Sequence, residues 1–354
     1  MTKFYDTPSR LPRGNAGELI RFEAFDDYDL PYEISAIRIL YHSRSAIGND
    51  VASSGVVLVP GGKPPAGGWP IVGWAHDFTG AARTCAPSLQ KNLSAGPLLA
   101  MYAGLGYAVV ASDYAGLGSN SPPAVLDLQS NALDVIYSIP AARAAVPQLS
   151  PKWIAAGSFQ GALVALGVSE AESTFHDPNF LGAVAIGGVA DPPDLFEHQS
   201  QRRGYRGPVF LAQGIKAVFP DFTVTEVLTE KALPLYQRIH QACDLNPEPM
   251  ASAPEMLKPA WESVRYVKEF FNRNTLGLRP AFGPLLVISP DDDPDVPSKL
   301  TTVTVTRMCG QGDRLLFYKY PQLDASGVVG TSVSDQLSWI RARFGGYPAP
   351  GNCR

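Results

Sequence analysis

The stretch that most constrains the fold is "AAGSFQGA", residues 155–162. An apolar-leaning run, Pro151 to Ala156, precedes it, and "LVALGVSEA", which has a helical pattern, follows it. A strand, a glycine-bounded five-residue turn and a helix form the setting of a nucleophile elbow, in which serine stands at the centre of G-x-S-x-G. In this sequence the centre is Phe159. We therefore predict a strand-to-helix corner whose apex carries a benzyl group in place of a nucleophile.

Strand-like and helix-like segments alternate along the chain, which predicts an α/β fold with a mostly parallel central sheet. Short apolar runs rich in β-branched residues, bounded by Gly, Pro or polar residues, indicate the strands. Helical apolar spacing marks "LQKNLSAGPLLAMYAGLG", "NALDVIYSIPAARAAV" and "SVSDQLSWIRARF". The predicted strands are residues 36–43, 54–60, 70–76, 107–113, 151–156, 181–188, 284–289 and 314–321.

The strand series pauses between about residue 190 and residue 282. Three segments there, "PVFLAQGIKAVFP", "TEVLTEKALPLYQRIHQAC" and "AWESVRYVKEFFNR", have helical patterns. We expect them to form a cap over the carboxyl ends of the strands, where open α/β sheets bind ligands. The predicted organisation is a first part of the core over 1–190, a helical cap over 191–282 and the last part of the core over 283–354.

Composition excludes several classes of protein. Of the 354 residues, 45% are apolar and 18% charged, and the net charge is −4, so we expect neither nucleic acid nor an anionic membrane as partner. The sequence has no apolar run of about 18 residues, so no transmembrane segment is predicted. Its first residues lack the pattern of a signal peptide, which leaves open whether one was removed. We expect no cofactor, and the sequence does not indicate the oligomeric state.

The cysteines give a weak indication of the compartment. There are four, Cys85, Cys243, Cys309 and Cys353, and none has the C-x-x-C or Cys/His spacing of a zinc site, so no metal is predicted. From the count alone, two disulfides and four buried free thiols remain alternatives.

The order of the motifs resembles the secretory lipase family of α/β-hydrolases, whose members have a lid-like cap and act on esters. The resemblance covers nearly the whole chain. It implies an α/β-hydrolase fold with helices on both faces of the sheet and an inserted helical cap. The motifs that carry it are "FYDTPSRLPRG", "SGVVLVP", "GWAH..TG", "CAPS", "SDYAGLG", the elbow, "DPDVPS", "SGVVG" and "PAPGNC".

Two departures from the family pattern affect the catalytic triad that the resemblance implies. At the elbow the two glycines and Gln160 remain, but Phe159 replaces the nucleophile and can supply no activated oxygen or sulfur. In "LDASGVV", Ala325 stands where the family carries the histidine base. The segment "DPDVP" places Asp293 at the triad acid; its alternative role is that of a loop carboxylate in a turn or cap.

A third departure lies at the oxyanion loop, where "AHDFTG" resembles the family's "AHGTTG". An ionised Asp77 would repel a developing oxyanion, although some relatives with lid caps carry Asp here. Beside Phe78 and Phe159, Asp77 could have a raised pKa and transfer protons. The alternative is that its carboxylate accepts hydrogen bonds from neighbouring amides and holds the loop. Tyr114, in "SDYAGLG", is expected near the pocket wall, with a structural hydroxyl as the alternative.

The resemblance also implies the disulfide pairing. Cys85 and Cys243 resemble the family's bond between core and cap, and Cys309 with Cys353 would tie the final strand region to the tail. This pairing favours an oxidising compartment or secretion.

The replacements concentrate at three places that are far apart in sequence and adjacent in the family's fold, while the elbow glycines remain. We therefore predict a hydrolase fold adapted as a non-hydrolytic enzyme, a cyclase, isomerase or lyase of specialised metabolism, acting on a hydrophobic small molecule. The alternatives are a binding protein without turnover and a residual esterase using Ser158 or Ser326. Asp77 is the candidate catalytic residue, and the candidate substrate-binding residues are Phe78, Tyr114, Phe159, Gln160 and Ala325.

Overall fold

A computed structural model describes residues 2–8, 11–202, 204–243 and 252–353. Nine strands form one sheet in the order β1-β2-β3-β5-β4-β6-β7-β8-β9. The first three strands and β5 pair antiparallel, and all pairs from β5 to β9 are parallel. The strands are β1 Leu19–Ala24, β2 Ser35–Arg44, β3 Asp50–Val59, β4 Trp69–Ala75, β5 Ala108–Ser112, β6 Leu149–Ser158, β7 Phe180–Ile186, β8 Leu285–Pro290 and β9 Leu315–Tyr320.

Helices cover both faces of the sheet, since a parallel sheet built from Val, Ile and Ala must be buried on both sides. Helices α2 and α3 pack on one face, and α1 and α11 pack on the other. The helices are α1 Gly96–Gly104, α2 Leu128–Ala145, α3 Gln160–Phe175, α4 Pro192–Ser200, α5 Gly207–Val218, α6 Leu233–Arg238, α7 Ala253–Met256, α8 Arg265–Arg273, α9 Ser298–Gly310, α10 Ala325–Thr331 and α11 Val333–Phe344.

The elements α4 to α8 lie between β7 and β8 and are called the insert here. They share a hydrophobic cluster that includes Phe196, Phe222 and Phe270, and Ala81 and Val125 from outside the insert also belong to it. Polar contacts attach the insert to the sheet layer: Arg273 at the end of α8 donates through Nε to Asp127 Oδ1, 2.7 Å away, at the start of α2. A disulfide joins Cys85 to Cys243.

One segment of the insert differs from the expectation. Residues 225–243 were expected to be helical over most of their length, but α6 spans only six residues and short 3₁₀ turns precede it. Pro234 lies in the first turn of α6, where the missing N–H costs nothing, and it prevents a helix from continuing through that point. Leu228 forms a bridge with Leu257 instead.

The outer edge of β9 is covered by the end of the chain. Asn352 Oδ1 accepts from the Phe317 amide and its Nδ2 donates to the Phe317 carbonyl, both at 2.8 Å. The backbone of Asn352 also donates to Leu315. A second disulfide, Cys309–Cys353, fixes this tail beside α9.

The corner between β6 and α3 requires glycine on steric grounds. A Cβ at Gly157 would lie 2.2 Å from the carbonyl oxygen of Gly161, and a Cβ at Gly161 would lie 2.0 Å from that of Ala75. Only glycine permits this approach of β4, β6 and α3. The corner therefore directs residue 159 out of the carboxyl end of the sheet, toward the insert.

Candidate functional site

Phe159 forms the apex of the β6–α3 corner. Its backbone has φ 55° and ψ −118°, a strained conformation for a residue with a side chain, and its amide donates to the Ile186 carbonyl at 2.9 Å. This is the geometry in which an elbow displays its central side chain. The half-buried ring faces a cavity instead of the hydrophobic core.

That cavity lies between the sheet and the insert and has a volume of about 510 Å³. Phe78, on the loop after β4, contributes a second ring, and this ring packs edge-to-face on Phe210 of α5 with centroids 4.6 Å apart. Most of the remaining lining is apolar. The lining residues used below are Asp77, Phe78, Phe159, Gln160, Tyr205 and Phe210.

Asp77 lies beside Phe159 at this cavity. Its Oδ1 accepts a hydrogen bond from the Gln160 amide at 3.2 Å. In an elbow, the amide after the central residue is a donor of the oxyanion hole, so this carboxylate takes the place of an oxyanion. Burial raises the pKa of Asp77 above its ordinary value, although hydrogen bonds from the amides of Phe78 and Gln160 act in the opposite direction.

A smaller apolar extension of about 130 Å³ continues from the cavity toward α8. The two spaces share lining residues that include Gln160, Leu163 and Tyr205. Tyr205 belongs to the insert, and burial raises the pKa of its hydroxyl. Tyr205 was not predicted from the sequence, because it lies in the irregular segment before α5, where no periodic pattern marks a side chain that faces a pocket.

Tyr114 lies behind the Asp77 loop and does not line the larger cavity. Its hydroxyl donates to the His76 carbonyl at 3.0 Å, and its ring stacks on the His76 ring with centroids 4.1 Å apart. The two His76 nitrogens face the carbonyl oxygens of Asp77 and Asp113. Burial lowers the pKa of His76 to about 4, so the ring is neutral at physiological pH. These contacts support the loop; a role of Tyr114 in binding stays a prediction.

Asp293 and Ala325 are brought together by the loops after β8 and β9. Asp293 Oδ2 accepts from the Ala325 amide at 2.6 Å, and its Oδ1 accepts from the amides of Asp295 and Val296 at 2.8 and 2.6 Å. Three backbone donors therefore hold this buried carboxylate. Neither Asp293 nor Ala325 lines the cavity that contains Phe159.

The two serines considered as substitute nucleophiles also lie apart from this cavity. Ser158 is buried at the end of β6, and Ser326 is exposed at the start of α10.

Among the histidines, His198 on α4 forms a hydrogen bond through Nε2 with the Pro294 carbonyl at 2.7 Å, and His42 forms one with Asp50. Within the described residues, no group of three His, Cys, Asp or Glu side chains is arranged to hold a metal ion.

No family model matches the sequence. A search of curated proteins found no match either.

Solved structures with the same fold are numerous. Candida antarctica lipase A in its closed state is similar with a TM-score of 0.81 and 17% identity, over 99% of this chain and 88% of that one. A ligand-bound form of the rice cell wall degrading esterase LipA from Xanthomonas oryzae has a TM-score of 0.76 and 18% identity, over 93% of this chain and 98% of that one. At these identities the likeness establishes the fold alone.

The predicted α/β-hydrolase fold is confirmed by these neighbours and by the nine-stranded sheet. Both predicted disulfides are confirmed as well. In the part of the chain that the structure describes, no helix has the length and hydropathy needed to span a membrane. The assignment to secretory lipases, beyond the lipase-like fold, stays a prediction.

Proposed function

We propose that this protein is a non-hydrolytic enzyme, a cyclase, isomerase or lyase, that encloses a hydrophobic small molecule between the sheet and a cap formed by residues 191–282. The observation that supports it most directly is the position of the Phe159 ring, at the apex of an elbow and on the wall of a cavity of about 510 Å³. An aromatic ring there shapes a ligand and offers no nucleophile.

Confinement and one proton-transfer group are the proposed source of catalysis. The rings of Phe78, Phe159 and Phe210 favour an apolar ligand in a folded conformer, which lowers the entropic part of the barrier. Asp77 lies beside these rings with a pKa raised by burial, so the carboxyl exchanges a proton more readily near neutral pH than an exposed aspartate does.

Hydrolysis by the usual triad is disfavoured under this proposal for three local reasons. The elbow apex is a phenylalanine, and Ala325 stands where the resemblance places the base. The Gln160 amide, which would bind an oxyanion, already donates to Asp77. An ester carbonyl would have to displace that carboxylate before its own charge could be stabilised.

A second candidate is a binding protein without turnover, and the same hydrogen bond favours it. Since the Asp77 carboxylate accepts from backbone amides, its role can be to hold the loop after β4 in shape. Under this alternative the cavity retains its ligand unchanged, and replacing Asp77 alters stability more than chemistry.

The test is incubation of the protein with apolar polyketide- and terpenoid-like compounds in heavy-oxygen water, followed by mass spectrometry. A cyclase or isomerase gives a product of the substrate's own mass, and a lyase gives fragments that sum to it, with no heavy oxygen from the solvent. Protein-dependent incorporation of solvent oxygen, or covalent labelling of Ser158 or Ser326 by a fluorophosphonate, contradicts the proposal and supports a residual esterase. Tight binding with no product supports the binding protein.

Restoring the missing triad residues gives a complementary test. We expect Phe159→Ser with Ala325→His to create only weak activity on nitrophenyl esters, because the Ala325 amide already occupies Asp293 Oδ2 and Asp77 still fills the oxyanion site. Each single substitution should leave the ester hydrolysis rate at background, since the triad acts as a unit. Efficient hydrolysis by either single variant would contradict this account.

A further inference from the structure

A small chamber lies behind the loop that carries Asp77 and Phe78. Its volume is about 20 Å³, and Thr79, Asn131 and Gln160 are among the residues that line it. Thr79 Oγ1 and Gln160 Oε1 are both fully buried and have no hydrogen-bond partner in the described residues. Asn131, on α2, is 4% exposed. Two residues that each carry an unpartnered buried polar atom thus line one water-sized space.

Buried polar atoms in native proteins nearly always have a partner, and an unmade hydrogen bond costs about 1–3 kcal/mol. A space of this size exceeds the roughly 10–15 Å³ that one water molecule needs. Gln160 Oε1 can only accept, so the occupant must donate a hydrogen, while the Thr79 hydroxyl can donate to the occupant's oxygen. Together these two groups fit one O–H group.

The chamber is also uncharged. Among the described residues, no Asp, Glu, Lys or Arg side chain lines it, and burial, which lowers the pKa of His76 to about 4, keeps the His76 ring on its wall neutral. A carboxylate or an ammonium group would enter it with no opposite charge to offset the loss of its hydration. A neutral O–H group, as in water or an alcohol, meets both conditions.

Gln160 connects this chamber to the candidate site, because it lines the chamber, the larger cavity and the apolar extension. We propose that the chamber binds one neutral O–H group, and that the ligand of the apolar cavity is an alcohol whose hydroxyl takes the place of a water molecule there. The second half of this inference rests on the proposed function, since it assumes that the cavity binds an apolar molecule.

The first test compares two probes that differ in one hydrogen-bond donor, 1-decanol and decyl methyl ether, by calorimetry. In the wild type we expect the alcohol to bind about 10-fold more tightly, which corresponds to one net hydrogen bond. In Thr79→Val, which keeps the shape and removes the hydroxyl, the preference should fall to within about two-fold. Thr306→Val on the exposed side of α9 makes the same chemical change elsewhere and should keep the full preference.

The outcomes separate this inference from the proposed function. Equal binding of alcohol and ether, or an alcohol preference that Thr79→Val leaves unchanged, overturns the O–H site while the apolar cavity stands. If neither probe binds, the apolar cavity fails as a ligand site and the assignment of an alcohol ligand is overturned with it, while the crystal structures below decide the O–H site in the chamber.

Crystal structures of the protein with and without 1-decanol test the chamber directly. We expect an oxygen atom within about 3 Å of both Thr79 Oγ1 and Gln160 Oε1 in each. A chamber without such an oxygen overturns the O–H site. In the complex, a decanol hydroxyl at this point supports the alcohol as ligand. If a water molecule stays in the chamber and the decanol hydroxyl lies elsewhere, the chamber binds only water. That result overturns the proposal that the ligand is an alcohol whose hydroxyl replaces the water.

Discussion

Two carboxylates at the carboxyl end of the sheet, Asp77 and Asp293, accept hydrogen bonds from backbone amides and yet differ in their surroundings. Asp293 is buried, and both of its oxygens accept, from three amides at 2.6–2.8 Å. Asp77 is half-buried and accepts from Gln160 at the longer distance of 3.2 Å, on the wall of an apolar cavity. The comparison indicates that several short backbone hydrogen bonds hold a carboxylate in a structural role, as at Asp293. A carboxylate with a longer hydrogen bond on the wall of an apolar cavity, as at Asp77, remains able to exchange a proton.

The largest effect expected from this difference is on turnover. Asp77→Asn keeps the size and most hydrogen bonds of the side chain but cannot ionise, so we expect product formation on the native substrate to fall at least about 100-fold, with ligand binding retained. Asp292→Asn, on the exposed loop after β8, is the matched control and should keep the full rate. A fully active Asp77→Asn protein would remove the acid–base role and leave confinement as the catalytic principle.

Asp293→Ala should act on stability instead. Three amide donors, those of Asp295, Val296 and Ala325, lose their acceptor, and we expect a loss of about 2–4 kcal/mol in the free energy of unfolding. Urea denaturation measures this, with Asp292→Ala expected to stay within about 0.5 kcal/mol of wild type. If Asp293→Ala instead abolished turnover in a protein of unchanged stability, the two carboxylates would have to exchange roles.

Phe159→Ala tests the apolar wall next to Asp77. Removing the ring should weaken ligand binding by about 1–3 kcal/mol through lost burial and stacking. Stability should change little, because the residue is strained and faces a cavity. Titration calorimetry measures the affinity, and Phe22→Ala on the exposed face of β1 serves as control. A large loss of stability with unchanged affinity would place Phe159 in the core.

The smallest expected effect is a pH dependence of stability. A carboxyl whose pKa is raised on folding, as for Asp77 above its ordinary 3.8, binds more protons in the folded than in the unfolded state between the two pKa values. Its contribution to the free energy of unfolding therefore falls as pH rises through that interval. The stability of Asp77→Asn relative to wild type should rise as the pH increases above about 4, as measured by urea midpoints. A constant difference would mean that folding leaves the pKa of Asp77 unchanged.

The pair of glycines that bounds the turn made the elbow predictable from the sequence. Gly157 and Gly161 mark it because backbone atoms of neighbouring elements lie within 2.2 Å of the place where each Cβ would be. Strands buried on both faces were predictable from their apolar runs. The edge strand β1 was not predicted, because it is half-exposed and carries Arg21 and Glu23 among its apolar residues.

Which other side chains face the chamber and the cavity depends on tertiary contacts that the sequence does not indicate. Asn131 lies on α2 among residues with core-like spacing, and nothing local shows that it faces a chamber. Tyr205 reaches the cavity only because the insert folds back over the sheet. The hydrogen-bond partners of Asp77 and Asp293 also needed the structure, because the sequence left a structural role open for each of them.

The tail that ends at the Cys309–Cys353 disulfide also bears on how the protein behaves at high concentration. An uncovered terminal strand is a template on which another molecule can add its own strand, and such addition starts aggregation. Asn352 forms hydrogen bonds with both the N–H and the C=O of Phe317 on β9. The disulfide of the next residue, Cys353, holds it in this position. Reduction of that bond would free the tail and open this edge to self-association, even where the rest of the sheet stays folded.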